Sequence, residues 1–287
     1  MTGRYVNPYT DFGFKLLFGT PVNKDLLIGF LNALFRGEQE ITDVTYLNAE
    51  QLGRAEWDRK AVFDVYCENV KGERFIVEMQ KAKQKYFKDR SVFYSTFPIR
   101  EQAKVGDWDY ELKSVYTVGV LNFVFDEDKD DEEYYHHEVK LMDVGRKEVF
   151  YEKLTFIYLE MPKFRKREDE LETLFDKWMF VLKNLATLLE RPAALQERVF
   201  KRLFETAEIA RFSESEMRDY EESLKNLRDL GNVLNTAKEE GRKEGREEGE
   251  RKRSFEIARN LLQAGIAEDV IAATTGLSIE EIRNLKS

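Results

Sequence analysis

The spacing of apolar and polar positions changes several times along the chain, and each change predicts a new element. In "FGFKLLFG" and "NKDLLIGFLNALF" apolar residues recur at helical spacing, with Thr20 or Asn23 as caps, so two helices are expected near the start. From Ile41 to Gln80 the period shortens to two and β-branched and aromatic residues dominate, which predicts strands at Ile41–Leu47, Ala61–Glu68 and Arg74–Gln80. A helix is expected from about Asp89 to Val105. After Gly106, "SVYTVGVLNFVF" is apolar at both alternations, as a strand covered on both faces reads, and it belongs in the centre of a sheet. The run "DEDKDDEEYYHHE" reads as a solvated loop, with strands following at Glu138–Val144 and Leu154–Glu160.

Beyond Pro162 Leu, Glu, Lys, Arg and Phe take over at 3.6-residue spacing, and the chain is expected to be helical to about Asn235. "AKEEGRKEGREEGERKR" is a charge-laced helix interrupted by Gly241, Gly245 and Gly249, four residues apart. Each glycine costs roughly 1 kcal/mol against alanine in a helix. Three on one face suit either the close approach of a partner, such as a second copy, or a frayed connector. The end, "FEIARNLLQAGIAEDVIAATTGLSIEEIRNLKS", reads as a small helix-turn-helix in which Gly265 and Gly276 stop two helices and Ser278 with Glu281 forms a capping box for the last. The expected parsing is 1–162 mixed α and β, 163–235 a helical extension, 236–253 the glycine-interrupted helix and 254–287 the helix-turn-helix-like tail.

Composition narrows the chemistry. The 287 residues, 42% hydrophobic, suffice for a sizeable core. No apolar run approaches the roughly 18 residues of a membrane span, and the N-terminus lacks the apolar middle of a signal peptide, so no membrane association and a cytoplasmic location are expected. The one cysteine, Cys67, and the two histidines, His136 and His137, cannot build a cysteine/histidine zinc site, which leaves oxygen ligands for any metal. A net charge of −9 argues against broad attachment to nucleic acid, so local charge matters.

Two acidic residues stand where half-buried strands should carry Val or Ile: Asp64 and Glu78 in "AVFDVYCENVKGERFIVEMQKAK". A three-residue loop Val70-Lys71-Gly72, with glycine in the left-handed position, pairs Tyr66 with Ile76, Asp64 with Glu78 and Val62 with Gln80. Asp64, Glu78 and Gln80 then share one face. Opposed like charges destabilise a hairpin and call for a compensating cation; with oxygen ligands that is Mg²⁺ or Mn²⁺. Pairing of either carboxylate with Arg74, Lys60 or another strand's base is the structural alternative that spacing leaves open.

Asp64, then thirteen residues, then Glu78-Met79-Gln80 resembles the D…(D/E)xK signature of the PD-(D/E)XK nuclease superfamily. Residues 5 to about 165 resemble, more specifically, its recombination-promoting nuclease and transposase family, through "TDFGFKLLFG", "NKDLLIGFLNALF", "ITDV", "FDVYCENVKGERFIVEMQ", "YFKDRSVFYSTFPIREQAKVGDWDYELKSVYTVGVLNF" and "LTFIYLEMPKF". The glycine-interrupted helix and "GLSIEEI" are similar to the ends of many members. The resemblance implies an α+β, restriction-endonuclease-like core, a mixed sheet flanked by helices, and a Mg²⁺-dependent (or Mn²⁺-dependent) DNA endonuclease associated with recombination or transposition. In that reading Asp64, Glu78 and the backbone carbonyl of Met79 hold the metal, and Gln80 orients the attacking water. Asp11 stands either in the metal's second shell or as a helix N-cap. Phe63 replaces the signature's proline, and Gln80 its lysine; a neutral amide lacks that lysine's charge, which Lys81 or Lys83 would have to supply.

Between Lys81 and Lys104 seven basic residues meet two acidic ones, a local balance of +5. Lys83 and Arg90 are expected to contact DNA phosphates, Gln102, which matches the family pattern on the covering helix, is expected to contact DNA as well, and Phe93 is expected to pack. Two other readings stand beside the endonuclease: a catalytically inert DNA-binding or protein-interaction module that keeps the fold, and a strand-joining transposase. Self-association through the C-terminal helices is the expected oligomeric contact.

Overall fold

Thr10 opens the first helix by accepting the N–H of Gly13 on its side chain, which satisfies one of the donors a helix start leaves unpaired. This computed structural model describes residues 3–37, 39–51, 61–103 and 109–285; the expected helix end at Val105, with Lys104 and Lys60, lies outside them. Helices α1 (Asp11–Phe18) and α2 (Lys24–Leu34) lead into strands β1 (Val44–Tyr46), β2 (Glu50–Gln51), β3 (Ala61–Val62), β4 (Val65–Asn69) and β5 (Arg74–Gln80). Then follow α3 (Phe87–Glu101), β6 (Val115–Leu121), β7 (His136–Asp143), β8 (Glu148–Glu160), α4 (Leu174–Asn184), α5 (Arg198–Ala207), α6 (Glu214–Gln263), α7 (Glu268–Thr275) and α8 (Ile279–Asn284), with short 3₁₀ turns between.

A six-stranded mixed sheet runs in the order β1-β4-β5-β6-β8-β7, and β2 pairs with β3 beside it. β5, β6 and β8 are parallel and the outer pairs antiparallel. The doubly apolar strand β6 lies in the middle, as its sequence demands. Around the Val70-Lys71-Gly72 turn Gly72 has φ +78°, which glycine adopts without a Cβ clash. The pairs Val65–Val77 and Tyr66–Ile76 follow the expected register.

Alternation assigns the faces. Val65, Cys67, Phe75, Val77 and Met79 join α1, α2, α4 and α5 in one core, with Trp178 fully buried among Phe18, Phe30 and Phe200. Phe63, Tyr66, Ile76 and Phe97 on one side, and Phe87, Leu121 and Tyr158 on the other, form smaller clusters beneath α3. Cys67 is fully buried, and burial pushes its thiol up to about 12. Burying apolar surface at roughly 25 cal/mol per Å² on both faces is what fixes the sheet.

Two expectations are corrected. The strand expected to be continuous over Ala61–Glu68 breaks at Phe63–Asp64, and Val62 pairs with Glu50 instead of Gln80, because the Asp64 carboxylate takes the N–H of Met79 and ends the ladder. His136 and His137, expected in a loop, open β7: His137 pairs with Tyr158, and His136 lies against the Phe175 ring. Burial lowers the His136 pKa to about 4.

The chain divides into two compact units, Met1–Leu227 and Arg228–Ser287. In the second, Ala258, Ile271, Leu277 and Ile282 form the core. Gly276 takes the left-handed cap after α7, and Ser278 and Glu281 make the expected capping box. No helix among the described residues is long and apolar enough to cross a membrane.

Candidate active site

The α3 face of β5 carries Ile76, Glu78 and Gln80, and the third turns its amide onto the second: Gln80 Nε2 donates to Glu78 Oε2 at 3.1 Å. Glu78 is only 6% exposed. It can sit under α3 because its neighbour on β6 is Gly119, where a Cβ would stand 3.1 Å from Tyr158 Cδ1 and 3.6 Å from Phe87 Cζ. A side chain there would push against the rings that close the roof.

Asp64 reaches the same place from the broken strand. Its Oδ2 accepts the Met79 N–H at 2.9 Å, so a carboxylate replaces a backbone carbonyl at the point where the chain leaves the sheet. Burial raises the Asp64 pKa, the Met79 N–H opposes the rise, and Asp11 adds to it. Burial first and Asp64 second push Glu78 up to about 7, with Arg90 and Gln80 opposing. The two carboxyls therefore share a desolvated site and disfavour each other's charge.

The cations nearby are few and specific. Arg90, on the first turn of α3, holds Nη2 3.7 Å from Glu78 Oε2 and donates from Nη1 to Gln84 Oε1 at 2.5 Å. Its guanidinium also lies over the Phe87 and Tyr94 rings. Lys81 and Lys15 both act on Asp64. Lys81 Nζ binds Asp11 Oδ1 at 2.6 Å, and with Thr10 capping the helix, the N-cap reading of Asp11 is corrected. Arg74 is turned elsewhere: it pairs with Glu68 and Glu101 and donates to the Tyr66 hydroxyl, so it does not neutralise either carboxylate.

Other expected contacts are dispersed. Lys83 pairs with Asp126 and Lys88 with Glu127, so the acidic run is not simply a solvated loop; its first residues fold back onto the basic strip. Gln102 lies at the far end of α3, where its amide accepts the Lys113 N–H at 2.7 Å and donates to the Pro98 and Lys113 carbonyls. It ties the helix end to the segment before β6 and stands about 18 Å along the helix from Arg90 at 1.5 Å per residue. Phe93 meets Phe97 edge-on but remains 44% exposed. Lys15 was not singled out from sequence; the i, i+4 spacing of Asp11 and Lys15 was the available signal.

The donor set fits a hard divalent cation. It consists of oxygens only, and the nearby cations Arg90, Lys81 and Lys15 do not offset the burial that raises both carboxyls. A second grouping does not fit as well. Asp128, His137 and Glu160 bring ligand atoms within 4.8 Å of one another, but Lys163 Nζ already stands 2.7 Å from Glu160 Oε2. The Phe125 N–H donates to Glu160 Oε1 at 2.6 Å, and Lys163 donates to the Tyr134 carbonyl. A buried ammonium holds that carboxylate's charge, and a dication beside it would be repelled.

Comparison with known proteins gives the family. The profile of the PD-(D/E)XK nuclease family transposase matches residues 8–237, and that of the Rpn/YhgA-like nuclease family C-terminal HTH domain matches residues 251–287. Among curated proteins and solved structures nothing matches. With its mixed sheet, flanking helices and carboxylate pair at the broken strand, the chain belongs to the PD-(D/E)XK nuclease family transposases.

Proposed function

We propose that the protein is a divalent-metal-dependent endonuclease that hydrolyses DNA phosphodiester bonds in the course of recombination or transposition. The observation that carries this reading is buried Glu78 beside half-buried Asp64, each with a raised pKa. Such groups cost stability in the absence of a partner and are expected where a cation is to be bound. Asp64, Glu78 and the Met79 carbonyl would hold Mg²⁺ or Mn²⁺, which supplies a polarised phosphate and a water of lowered pKa. The chain's own residues do the rest. Gln80, held against Glu78 through its Nε2, keeps its carbonyl oxygen available to accept a hydrogen bond from the attacking water and fix its direction. Arg90 supplies positive charge to the scissile phosphate, and Lys81 takes the place of the lysine that Gln80 replaces, because it already acts on Asp64.

In this reading Lys83 and Arg90 contact phosphates along the strand, and the helix-turn-helix unit adds DNA contacts of its own. A second copy is the partner that the exposed glycine-spaced part of α6 suits, and the work is done on DNA in the cytoplasm. The test is nicking of supercoiled plasmid by the pure protein with Mg²⁺ or Mn²⁺, beside Asp64→Ala. Metal-dependent nicking lost in the variant supports the reading. Equal cutting by both removes Asp64 from the chemistry, and DNA binding by the wild type with no cutting under either metal replaces the reading with an inert DNA-binding module.

A further inference from the structure

We propose that the cavity at the start of α3 is a subsite for an unpaired DNA base adjoining the phosphate position of the candidate active site. The inference rests on the endonuclease reading and specifies its substrate: DNA with a single-stranded or extruded nucleotide at the cut.

The cavity has a volume of about 560 Å³ and is lined by Gln84, Lys85, Tyr86, Asp89, Arg90, Phe93 and Tyr94. That volume lies within the range of small-ligand pockets and accommodates a nucleotide. Two of its rings stand largely clear of the core, while the third, Tyr94, packs against Phe63. Tyr86 is 65% exposed and Phe93 44%, whereas Phe87 and Phe97 on the same helix are buried. Aromatic residues at helical spacing ordinarily face a core; here two remain turned to solvent around a hollow. Lys85 Nζ lies 5.3 Å from the Tyr86 ring centre and the Arg90 guanidinium 5.4 Å from that of Tyr94. Rings paired with cations are the pattern that stacks bases while holding their phosphates.

Arg90 joins the cavity to the carboxylates: its guanidinium faces Glu78 at 3.7 Å and lies over the Tyr94 ring. A base lying among Tyr86, Phe93 and Tyr94 would thus bring its own phosphate toward Arg90 and the carboxylate pair. A base inside a duplex hides its faces in the stack, so only an unpaired or extruded one can use this surface.

The experiment uses the full chain in EDTA, where cleavage is silent, and a single-stranded oligonucleotide carrying 2-aminopurine, whose fluorescence falls on stacking. The wild type is expected to quench it and to bind it more tightly than the same sequence as a closed duplex. Tyr86→Leu, at a position that carries little packing, is expected to weaken single-strand binding about tenfold and abolish quenching, while Tyr86→Trp restores both. Phe93→Leu is expected to act in the same direction, with an unchanged melting temperature as the folding check. Equal affinity for single strand and duplex, or full quenching in both leucine variants, overturns the subsite. Failure of the nuclease reading has a separate signature: plasmid nicking absent while base-dependent quenching persists, which leaves the subsite standing on a binding protein.

Discussion

Glu78 is the residue whose environment has the most readable cost. Its folded pKa of about 7 lies above the ordinary value of 4.5, so between these values the folded protein holds a proton that the unfolded chain has lost. Stability from this group is fully present below about pH 4.5 and is lost as pH rises through 7, by up to about 3 kcal/mol. The metal-free protein is therefore expected to melt at lower temperature at pH 8 than at pH 5, with Mg²⁺ raising the pH 8 value. Glu78→Gln should flatten the pH dependence and melt higher than wild type at pH 8; thermal melts in EDTA read both. Gln80 gives a kinetic counterpart. If its amide orients water, Gln80→Leu should lose most cleavage and Gln80→Lys keep it, whereas a pocket built around a neutral group would show Gln80→Lys needing more Mg²⁺. Cleavage rate against Mg²⁺ concentration separates the two, and a Gln80→Leu variant as fast as wild type would remove Gln80 from the chemistry. The carboxylates were legible in the sequence because an acid in an apolar alternation is conspicuous. Arg90's attachment to Glu78 was not, since a basic residue on a helix gives no sign of which strand it overlies.

At the level of elements, the hairpin register was readable down to the residue because a three-residue turn ending in glycine leaves few alternatives. The break at Asp64 was hidden, because it comes from a carboxylate outcompeting a carbonyl for one N–H, which no periodicity records. The basic strip was read correctly as a charge count and incompletely as a surface, since Asp126 and Glu127 arrive from forty residues away to pair with Lys83 and Lys88. These exposed pairs contribute little stability, but they occupy two cations that DNA would otherwise meet. Asp126→Asn with Glu127→Gln should therefore bind DNA more tightly and steepen its salt dependence by about two phosphate contacts. Filter binding at a series of salt concentrations checks this. An unchanged slope would mean that DNA follows another path across the protein.

Across the whole molecule, the mixed sheet, its helical layers and the small C-terminal unit could be anticipated from changes of period, because each layer buries a face with its own spacing. What periodicity could not foresee is that α4 and α5 close the same core as α1 and α2, a matter of which apolar faces meet. The glycines of α6 remain the feature whose use is decided at this scale: nothing lies within 4 Å of a Cβ built at Gly241, Gly245 or Gly249. Alanine at all three should raise helix stability by about 3 kcal/mol in total, and should also lower the sedimenting mass if two copies meet along that face. A stabilised helix at unchanged mass would identify it as a solvated connector. The buried cysteine bears on how such a measurement is interpreted. With its thiol pushed up to about 12, only about one Cys67 in 10⁵ is thiolate at neutral pH, and the sheet shields that fraction from reagents. Air oxidation during purification should therefore not crosslink two chains, and a mass above that of one copy would report a non-covalent contact. The native chain also serves as its own labelling background, because any cysteine introduced on the surface becomes the one thiol that a maleimide dye can reach.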